Sequence, residues 1–530
     1  MFFSVFSLRG AAVFILAALA AFPAAADEPS FLEKSLDTPD WLTIRGSHRT
    51  RFEVLDGPNV FSNNLFFSPY KDDAEVELNL SSAETTGVVS LQTSLFLEAR
   101  FGRLRFGAEL MDSRAYSPIL EPPVCGVCIP IGDNSNLINV KTNTVEPLQS
   151  YIAIDFGADG DSTKNSLMLG RFTMHLGSGR LVGRSDFRNT VQSYFGAKSA
   201  FTLTRDDQLT LFYTLPYSTG IGVNNHIKYD KPDPDRHFWG LHYQTEQLFD
   251  SINTELFLYG RYGRRECGSR LSFNEISEPC STRLSGLQYT PGIRISKEPA
   301  PESFDFDIEG AAQISNDVYR SSFFPKLGYF GHAEIGYLFD NTNNLRVSTM
   351  IDVASGWHKK RTPLSEIYPE FGEAATGSIY APDASSPFDD LFGLTENDFG
   401  PDGLFDILNR SNILSPAVRV EVSPFNGAID FQITYRAARA LEPDYFSVIG
   451  FGETVEGILH SAIRSEWAHQ VDASAAIWIV DGYIKLDIGG AFFTQNNSVE
   501  NFLDETAAFP AVDPEREETF YGYSSLTFSF

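Results

Sequence analysis

The chain ends in the stretch FYGYSSLTFSF, residues 520–530, in which apolar and small polar side chains alternate up to the last residue. Chain termini are usually polar and frayed, so a strand at the very end needs a partner that holds it. In a closed β-barrel the last strand pairs with the first, and no edge remains. The alternation therefore predicts a final barrel strand with two faces. The lipid-facing set is Phe520, Leu526, Phe528 and Phe530, and the inward set is Tyr523, Ser525, Thr527 and Ser529.

The same two-residue period recurs along the chain. TIRGSHRTRFEV, residues 43–54, puts Arg45, Arg49 and Arg51 on one face, and RLRFGAEL, residues 103–110, puts Arg103, Arg105 and Glu109 on one face. Each segment alone is weak evidence, but about eighteen segments of this kind follow one another. They predict an all-β fold, a single closed antiparallel up-and-down transmembrane β-barrel of about 18 strands.

The connections between these segments support the barrel more strongly than the strands do. A long connection over residues 55–88 is followed by a tight turn at Phe101-Gly102, then by a long connection over 116–145 and the short GADGDSTK, residues 157–164. Long and short connections continue to alternate, so all long loops fall on one rim. This sorting is typical of outer-membrane barrels with long extracellular loops and short periplasmic turns.

The beginning of the chain indicates export. Arg9 precedes an apolar run over residues 10–22, and the small-residue exit PAAADEP follows. This order is typical of a secretory signal peptide cleaved after Ala26, whereas the alternative, a single membrane anchor, does not explain the small residues. We expect a signal peptide over 1–26, a periplasmic segment over 27–42 and the barrel over 43–530, placed in the outer membrane of a Gram-negative bacterium.

Hydropathy alone would class the chain as soluble. The sequence has 45 Phe and 21 Tyr, yet no later segment reaches the ~18 consecutive apolar residues of a membrane helix. Barrel strands escape this test because lipid-facing and lumen-facing residues alternate.

The net charge of −28 is concentrated in long loops. The segments 56–88, 359–412 and 495–519 together hold 23 Asp and Glu against 6 Lys and Arg. Two interpretations stay open: plain solvated loops, which such charge runs usually are, or loops that share divalent cations with lipopolysaccharide. The strands that remain are close to charge balance.

The four cysteines, Cys125, Cys128, Cys267 and Cys280, fall in predicted external loops. An oxidising compartment favours disulfides, and of the three pairings we favour Cys125–Cys128 and Cys267–Cys280. Prolines surround the CGVC stretch, which argues against a redox motif at a helix start. No histidine lies near in sequence to complete a zinc site.

The sequence gives no catalytic motif. The nine histidines are scattered, without metal-ligand spacing, and no nucleophile elbow or phosphate loop appears. An enzyme with its active site on the barrel wall would have to use a histidine such as His48, His175 or His242. No sequence motif identifies a nucleophile for it. We therefore expect no enzymatic activity and no cofactor.

One connection is strongly basic in this acidic chain. LGRFTMHLGSGRLVGRSDFRNTVQSYFGAKSAF, residues 169–201, contains a single acid, Asp186, and its basic residues are Arg171, His175, Arg180, Arg184, Arg188 and Lys198. Guanidinium groups bind carboxylates bidentately, so this cluster in a pore would select carboxylated solutes. Internal pairing with Glu109, Asp112 or Asp186 is a compatible interpretation.

This stretch also resembles the alginate-export family of outer-membrane porins, whose pattern combines a strand ending in Gly-Arg, a Gly-x-x-Arg loop and an Asn-Thr approach to the next strand. RTRFEV, FGAELMDSRAY, SEIYPEFGEAATG, PAVRVEVSPFNG and GYIKLDIGGAFFTQN fit the same layout. The terminal Phe530 strand likewise resembles the signal that bacterial barrel-assembly machinery reads.

The resemblance implies a monomeric 18-stranded barrel with an arginine-lined lumen, narrowed by loops, through which an anionic polyuronate leaves the cell. By motif, the pore-lining positions are Arg45, Arg49, Arg51, Arg103, Arg105, Glu109, Asp112, Arg114, Arg171, Arg180, Arg184, Asp186, Arg188 and Asn189. The expected partners are outer-membrane lipid and lipopolysaccharide, an anionic polysaccharide or small carboxylated solute, and the assembly machinery, with no nucleic acid. The alternative functions are a diffusion porin for uptake of small solutes and an outer-membrane enzyme.

Overall fold

The structure is a computed structural model. It describes residues 30–56, 85–116, 142–157, 165–204, 207–218, 227, 229–249, 252–265, 284–317, 326–340, 342–356, 359–363, 378–382, 388–389, 391–394, 410–441, 467–495 and 518–530. The predicted signal peptide, the four cysteines and most of the three acidic loops lie outside these residues.

One short helix, α1 (Phe31–Leu36), precedes the strands. The strands are β1 (Leu42–Asp56), β2 (Thr85–Phe101), β3 (Leu104–Tyr116), β4 (Asn143–Phe156), β5 (Asn165–Phe172), β6 (Tyr194–Thr202), β7 (Asp207–Ser218), β8 (Lys231–Pro232), β9 (Arg236–Phe249), β10 (Ile252–Arg265), β11 (Leu284–Lys297), β12 (Ser303–Asp317), β13 (Lys326–Leu338), β14 (Arg346–Ala354), β15 (Lys359–Pro363), β16 (Ser378–Pro382), β17 (Ile413–Val422), β18 (Ile429–Ala438), β19 (Ala468–Val480), β20 (Ile484–Gln495) and β21 (Glu518–Ser529).

Eighteen of these strands form one closed antiparallel barrel. From β1 to β7, from β9 to β14 and from β17 to β21 each strand pairs with the next, β7 pairs with β9, β14 pairs with β17, and β1 pairs with β21. The two-residue β8 adds to the end of β7, and β15 and β16 pair with each other. The predicted fold class and strand number are confirmed.

The C-terminal residue completes the seam of the barrel. The amide of Phe530 donates to the carbonyl of Gly46 at 2.8 Å, and the amide of Gly46 donates back to the carbonyl of Phe530 at 2.7 Å. The Phe530 ring packs directly over Gly46, where a Cβ atom would overlap it. The final strand is therefore held along its whole length, as its alternation predicts.

The two faces of the strands follow the predicted alternation. On β3, Phe106 and Leu110 are 42% and 52% exposed, whereas Glu109 between them is 4% exposed. On β21, Phe520 is 50% exposed and Ser525 is buried. Large apolar side chains thus cover the outside, and polar or charged side chains line the inside.

The fully described turns at one end of the barrel, which we call the short-turn rim, are tight. Gly102 and Gly482 sit in two of these turns with φ angles of 63° and 71°, a region that residues with a Cβ rarely adopt. The opposite end, the long-loop rim, carries the long connections. No helix among the described residues is long and apolar enough to cross a bilayer.

The main apolar core lies inside the barrel rather than outside it. It fills the space between two segments of chain that fold into the lumen and the barrel wall, with members on β4 to β10, on β12 to β14 and on β17 and β18. Its largest members are Tyr151, Phe172, Tyr194, Phe212, Phe238, Phe257, Tyr259, Phe330 and Phe388. This packed apolar part of the barrel interior anchors the chain segments that form the candidate site.

Candidate functional site

The connection between β5 and β6, residues 173–193, folds into the barrel; we call it the lumenal loop. Gly177 and Gly179 have φ angles of 58° and 79°, which permits a tight reversal at this point. The reversal brings Leu176 against Val182, whose carbonyl accepts the Leu176 amide at 2.9 Å. The glycines of the basic motif thus serve to turn the chain inside the lumen.

Apolar side chains on one side of the lumenal loop anchor it to the wall. Leu181 and Val182 are buried in the internal core together with Phe172 and Tyr194, which flank the loop on β5 and β6. Fully burying a Leu or Val side chain contributes about 1.5–3 kcal/mol. The loop therefore has a fixed base against β5 to β9.

Hydrogen bonds fix the later part of the loop to β1 and its neighbours. The buried Arg49 guanidinium donates to the carbonyls of Asp186 and Arg188, the latter at 2.9 Å. Gln92 on β2 donates to the carbonyl of Asn189 at 3.0 Å, and the hydroxyl of Ser113 on β3 donates to the same carbonyl. Because these contacts use loop carbonyls, they hold the backbone irrespective of the loop side chains.

The turn of the loop is fixed to the opposite side of the barrel by Arg180. Its Nη1 atom lies 2.9 Å from Asp307 Oδ2 and 2.8 Å from Glu309 Oε2, both on β12. Burial by itself lowers the pKa of Arg180, but the Glu309 and Asp307 carboxylates outweigh it and raise that pKa above its ordinary value. The lumenal loop therefore reaches across the lumen, from β12 to β1, β2 and β3.

Arg184 makes the most open ion pair of the loop. Its Nη2 atom donates to Glu109 Oε1 at 2.8 Å, and its Nη1 atom donates to Glu109 Oε2 at 3.2 Å and to Thr173 Oγ1 at 2.8 Å. The Arg184 side chain is 31% exposed, whereas that of Glu109 is 5% exposed and that of Arg180 is 7% exposed. Arg184 is thus held in place while part of its side chain stays exposed.

An aromatic pair accompanies Arg51. Its guanidinium carbon lies 3.7 Å from the ring centroid of Phe187 in the loop and 5.6 Å from that of Tyr523 on β21. The same guanidinium donates to Glu53 at 3.4 Å, and the hydroxyl of Tyr521 donates to Glu53 at 3.0 Å. These contacts place the loop against the closing strand of the barrel as well.

Arg171 at the end of β5 is enclosed in a separate group. It forms an ion pair with Glu146 on β4, lies 3.7 Å from Asp230, and stacks on the ring of Tyr217 at 3.7 Å. Both carboxylates are buried. This group braces the wall near the base of the lumenal loop.

The structure brings nine of the fourteen predicted site residues to the lumenal loop or its attachments. They are Arg49, Arg51, Glu109, Arg171, Arg180, Arg184, Asp186, Arg188 and Asn189. Asp186 is exposed, and Arg188 is partly buried.

Three predicted residues lie near the short-turn rim instead. Arg45 falls on the inward face of β1 and is exposed. Arg103 lies in the turn between β2 and β3 and is exposed. Arg105 binds Asp155 through Nε and Nη2, with a shortest distance of 2.7 Å, and also pairs with Glu98.

The structure places Asp112 and Arg114 on the outer face, away from the predicted constriction. They pair with each other at 2.8 Å. Their position follows from the two-residue period, since Glu109 points inward and Asp112, three residues later, must point outward. The family resemblance assigns both residues to the pore lining, which does not agree with this period.

A second segment, of which residues 388–389 and 391–394 are described, also enters the barrel; we call it the inserted strap. Its backbone pairs with the lumenal loop, since Gly183 donates to the carbonyl of Phe392 and Leu394 donates to that of Gly179, both at 2.9 Å. The ring of Phe392 lies 4.7 Å from that of Phe238. The buried Arg410 donates to the carbonyl of Arg180 at 2.7 Å.

The strap places part of the segment 359–412, which was predicted as an external acidic loop, inside the barrel. Asp389 pairs with Arg261 on β10, and it exchanges hydrogen bonds with Gln313 on β12 through its backbone. Phe388 stacks on Phe330 at 5.3 Å. Two aromatic anchors therefore draw this part of the connection, with its charges, into the lumen.

The structure also shows ion pairs on β10 to β18 that sequence reasoning missed. Every second residue of DFDIEG on β12 is acidic, which the alternation could have assigned to the inner face. The principal ion pairs are Arg294 with Glu255 and Asp307, Arg346 with Asp305 and Glu334, and Arg436 with Asp352, which also shares a hydrogen bond with His332. The lumen thus carries paired charges of both signs rather than arginines alone.

This arrangement can bind the carboxylate of a solute at Arg184. A solute carboxylate that reaches Arg184 would share its guanidinium with Glu109, while the backbone of the loop stays fixed by Arg49 and Arg180. Among the described residues there is no cluster of His, Cys, Asp and Glu that could hold a metal ion. The cysteine pairings proposed from the sequence lie outside the described residues.

Comparisons with known proteins bear on the family and on the barrel fold. The profile of a family described as Alginate export matches residues 68–512. Among solved structures, Pseudomonas aeruginosa OccD3 (OpdP) aligns over 96% of this chain and 99% of its own, with a TM-score of 0.50 and 10% sequence identity.

Two further structures from Pseudomonas aeruginosa are similar, and both are described as outer membrane proteins. OpdK aligns over 92% of this chain and 98% of its own, with a TM-score of 0.48 and 8% identity. OprD aligns over 92% and 93%, with a TM-score of 0.47 and 9% identity. No curated protein sequence matches the chain.

Proposed function

The chain belongs to the alginate export family, and from that premise we propose that it is a passive outer-membrane channel that exports an anionic polyuronate such as alginate. The observation that supports this proposal most strongly is the lumenal loop, which holds Arg180 and Arg184 across the interior of the barrel. A channel needs no catalytic residue and no cofactor, and the chain is exported with the help of a cleaved signal peptide.

Selection in this proposal comes from placement of the arginines rather than from net charge. Paired charges lower the free energy needed to move a charged solute into the lumen. Because the charges are of both signs, they largely balance one another. Only a guanidinium with an exposed edge can also bind the solute, and Arg184 meets this condition with 31% of its side chain exposed. Binding must stay weak, since a tightly held solute would block flow.

A second candidate is passage of small carboxylated solutes. The lumenal loop and the inserted strap cross the interior and pack against each other, which favours a narrow path. The chemistry of recognition, a carboxylate at Arg184, is the same for both candidates, so the size of the solute decides between them.

Ion selectivity in planar bilayers tests the proposal. The reversal potential in a salt gradient should show anion preference for the wild-type channel, and Arg184→Gln should reduce that preference. Arg114→Gln is the matched control, because it removes an ion-paired arginine from the outer face. Cation preference in the wild type, or equal effects of both substitutions, would contradict the proposal.

Blocking experiments on the same channels then separate the two candidates. An oligouronate added to one side should interrupt the current, and a neutral oligosaccharide of equal length should not. Arg184→Gln should weaken this block by about tenfold, the effect of one charge-assisted contact. Block by a monocarboxylate without block by the oligouronate would favour the small-solute channel.

A further inference from the structure

Part of β1 extends beyond the end of its partner at the seam of the barrel. β21 ends at Ser529, and the last backbone pair joins Phe530 to Gly46. β1 begins four residues earlier, at Leu42, where it pairs with β2 alone. In an antiparallel ladder the bonding direction alternates, so the amide and carbonyl of Ile44 point to the side where β21 has ended.

Two side chains of the α1 region occupy this place. Glu33 Oε1 accepts the Ile44 amide at 3.1 Å, and the Ser30 hydroxyl donates to the Ile44 carbonyl at 2.7 Å. Together they supply the acceptor and the donor that a further residue of β21 would have provided. An open edge would otherwise invite pairing with another strand.

The same two side chains cap the helix itself. Glu33 Oε2 accepts the amide of Ser30 at 2.7 Å, and the amide of Glu33 donates to Ser30 Oγ at 3.1 Å. This is a reciprocal capping box. The formation of α1 and the completion of the β1 edge therefore depend on the same two residues.

The helix also contacts the other neighbour of β21. Lys34 Nζ donates to the hydroxyl of Tyr483 at 3.1 Å, and the ring of Phe31 meets that of Tyr483 edge-on at 6.3 Å. The carbonyl of Tyr483 accepts the amide of Ser529 at 2.7 Å. α1 thus bridges from β1 to the turn before β20, across the end of the chain.

We propose that α1 is a clasp that completes closure of the barrel by occupying the hydrogen-bonding groups of β1 that β21 does not reach. A six-residue helix without a buried side chain is unstable alone. Its contacts with Ile44 and Tyr483 hold it in place. In return they tie β1 to the turn before β20, where the Tyr483 carbonyl binds Ser529 of β21. The clasp acts on closure and does not depend on what passes through the lumen.

Substitutions at Ser30 separate the clasp from simple helix capping. Ser30→Asp keeps a good N-cap residue but removes the hydroxyl that donates to Ile44, whereas Ser30→Thr keeps both. The full mature chain is folded into lipid vesicles, and hydrogen exchange is measured at the amides of Gly46 and Phe530. Leu36→Ala is the control, since Leu36 lies on the same helix and is 61% exposed.

If α1 acts as this clasp, Ser30→Asp and Glu33→Ala should speed hydrogen exchange at the amides of Gly46 and Phe530 by about fivefold or more. This factor corresponds to the loss of one hydrogen bond. Ser30→Thr and Leu36→Ala should leave the exchange rates unchanged. If Glu33→Ala does not fold, Glu33→Gln replaces it, because the amide has one acceptor oxygen for two donors. Wild-type rates at Gly46 and Phe530 in Ser30→Asp and in the Glu33 variant would overturn the proposal and leave α1 as a helix without a role at the seam.

Discussion

Arg49 is the residue whose removal should most directly loosen the lumenal loop. The substitution Arg49→Ala leaves the fold of β1 intact but removes the guanidinium that binds the carbonyls of Asp186 and Arg188. Both carbonyls belong to the half of the loop that lies against the seam side of the barrel. This half should then leave the wall more often.

The size of the effect follows from the contacts. A hydrogen bond to a charged group contributes about 1.5–3 kcal/mol, so two such bonds give a gross value of about 3–6 kcal/mol. Burial of the Arg49 charge, whose residue is 7% exposed, offsets part of this value. A net change of about 2–3 kcal/mol would raise the population of the released loop by about 30- to 150-fold.

Single-channel recording in planar bilayers measures the consequence. Arg49→Ala should give a larger and noisier conductance than the wild type, because the loop no longer holds one position across the lumen. Arg114→Ala is the control: it also removes an ion-paired arginine from a barrel strand, but on the outer face. Heat-modifiable gel mobility confirms that both variants are folded.

An unchanged conductance in a folded Arg49→Ala channel would refute the reasoning. It would mean that the contacts of Gln92 and Ser113 with Asn189 suffice to hold the loop. The same contacts set an upper limit on the effect, since they must break before the loop can leave the wall entirely.

Two further predictions concern folding. Gly46→Ala should reduce the yield of heat-modifiable barrel, because its Cβ overlaps the Phe530 ring, whereas Gly331→Ala, with nothing within 4 Å of its Cβ, should fold normally; equal yields would contradict the packing at the seam. Arg180→Ala should lower the free energy of unfolding by about 3–5 kcal/mol, since it removes the cation that pairs with the buried Glu309 and one of the two cations that pair with Asp307; a urea midpoint equal to that of the wild type would show that the pair is solvated.

The two-residue period predicts the inner and outer faces of β3, whereas it does not predict the contacts inside the barrel. Leu104, Phe106 and Leu110 lie outside and Glu109 lies inside, as the period of two requires. The basic motif lies between β5 and β6. The carboxylates that pair with its arginines come from other strands, β3, β4 and β12, and a pattern within the motif does not report them.

The inserted strap shows the limit of sequence reasoning most clearly. Its segment carries acidic residues and lies in a long connection, which usually indicates a solvated surface loop. Phe388 and Phe392 reverse that outcome, because their burial against aromatic side chains of the wall outweighs the exposure that Asp389 loses. The sequence around residues 388–392 cannot predict these aromatic side chains of the wall, because they come from distant strands.

The sequence by itself determined the barrel, its direction of alternation and the strand at which it closes. These properties depend on a period of two and on the lengths of connections, both of which are local. Only the tertiary structure decided which arginines meet which carboxylates, which loops enter the lumen and how α1 completes β1. Those outcomes depend on contacts between residues that are distant in the chain, and the closed circle of strands is what brings them together.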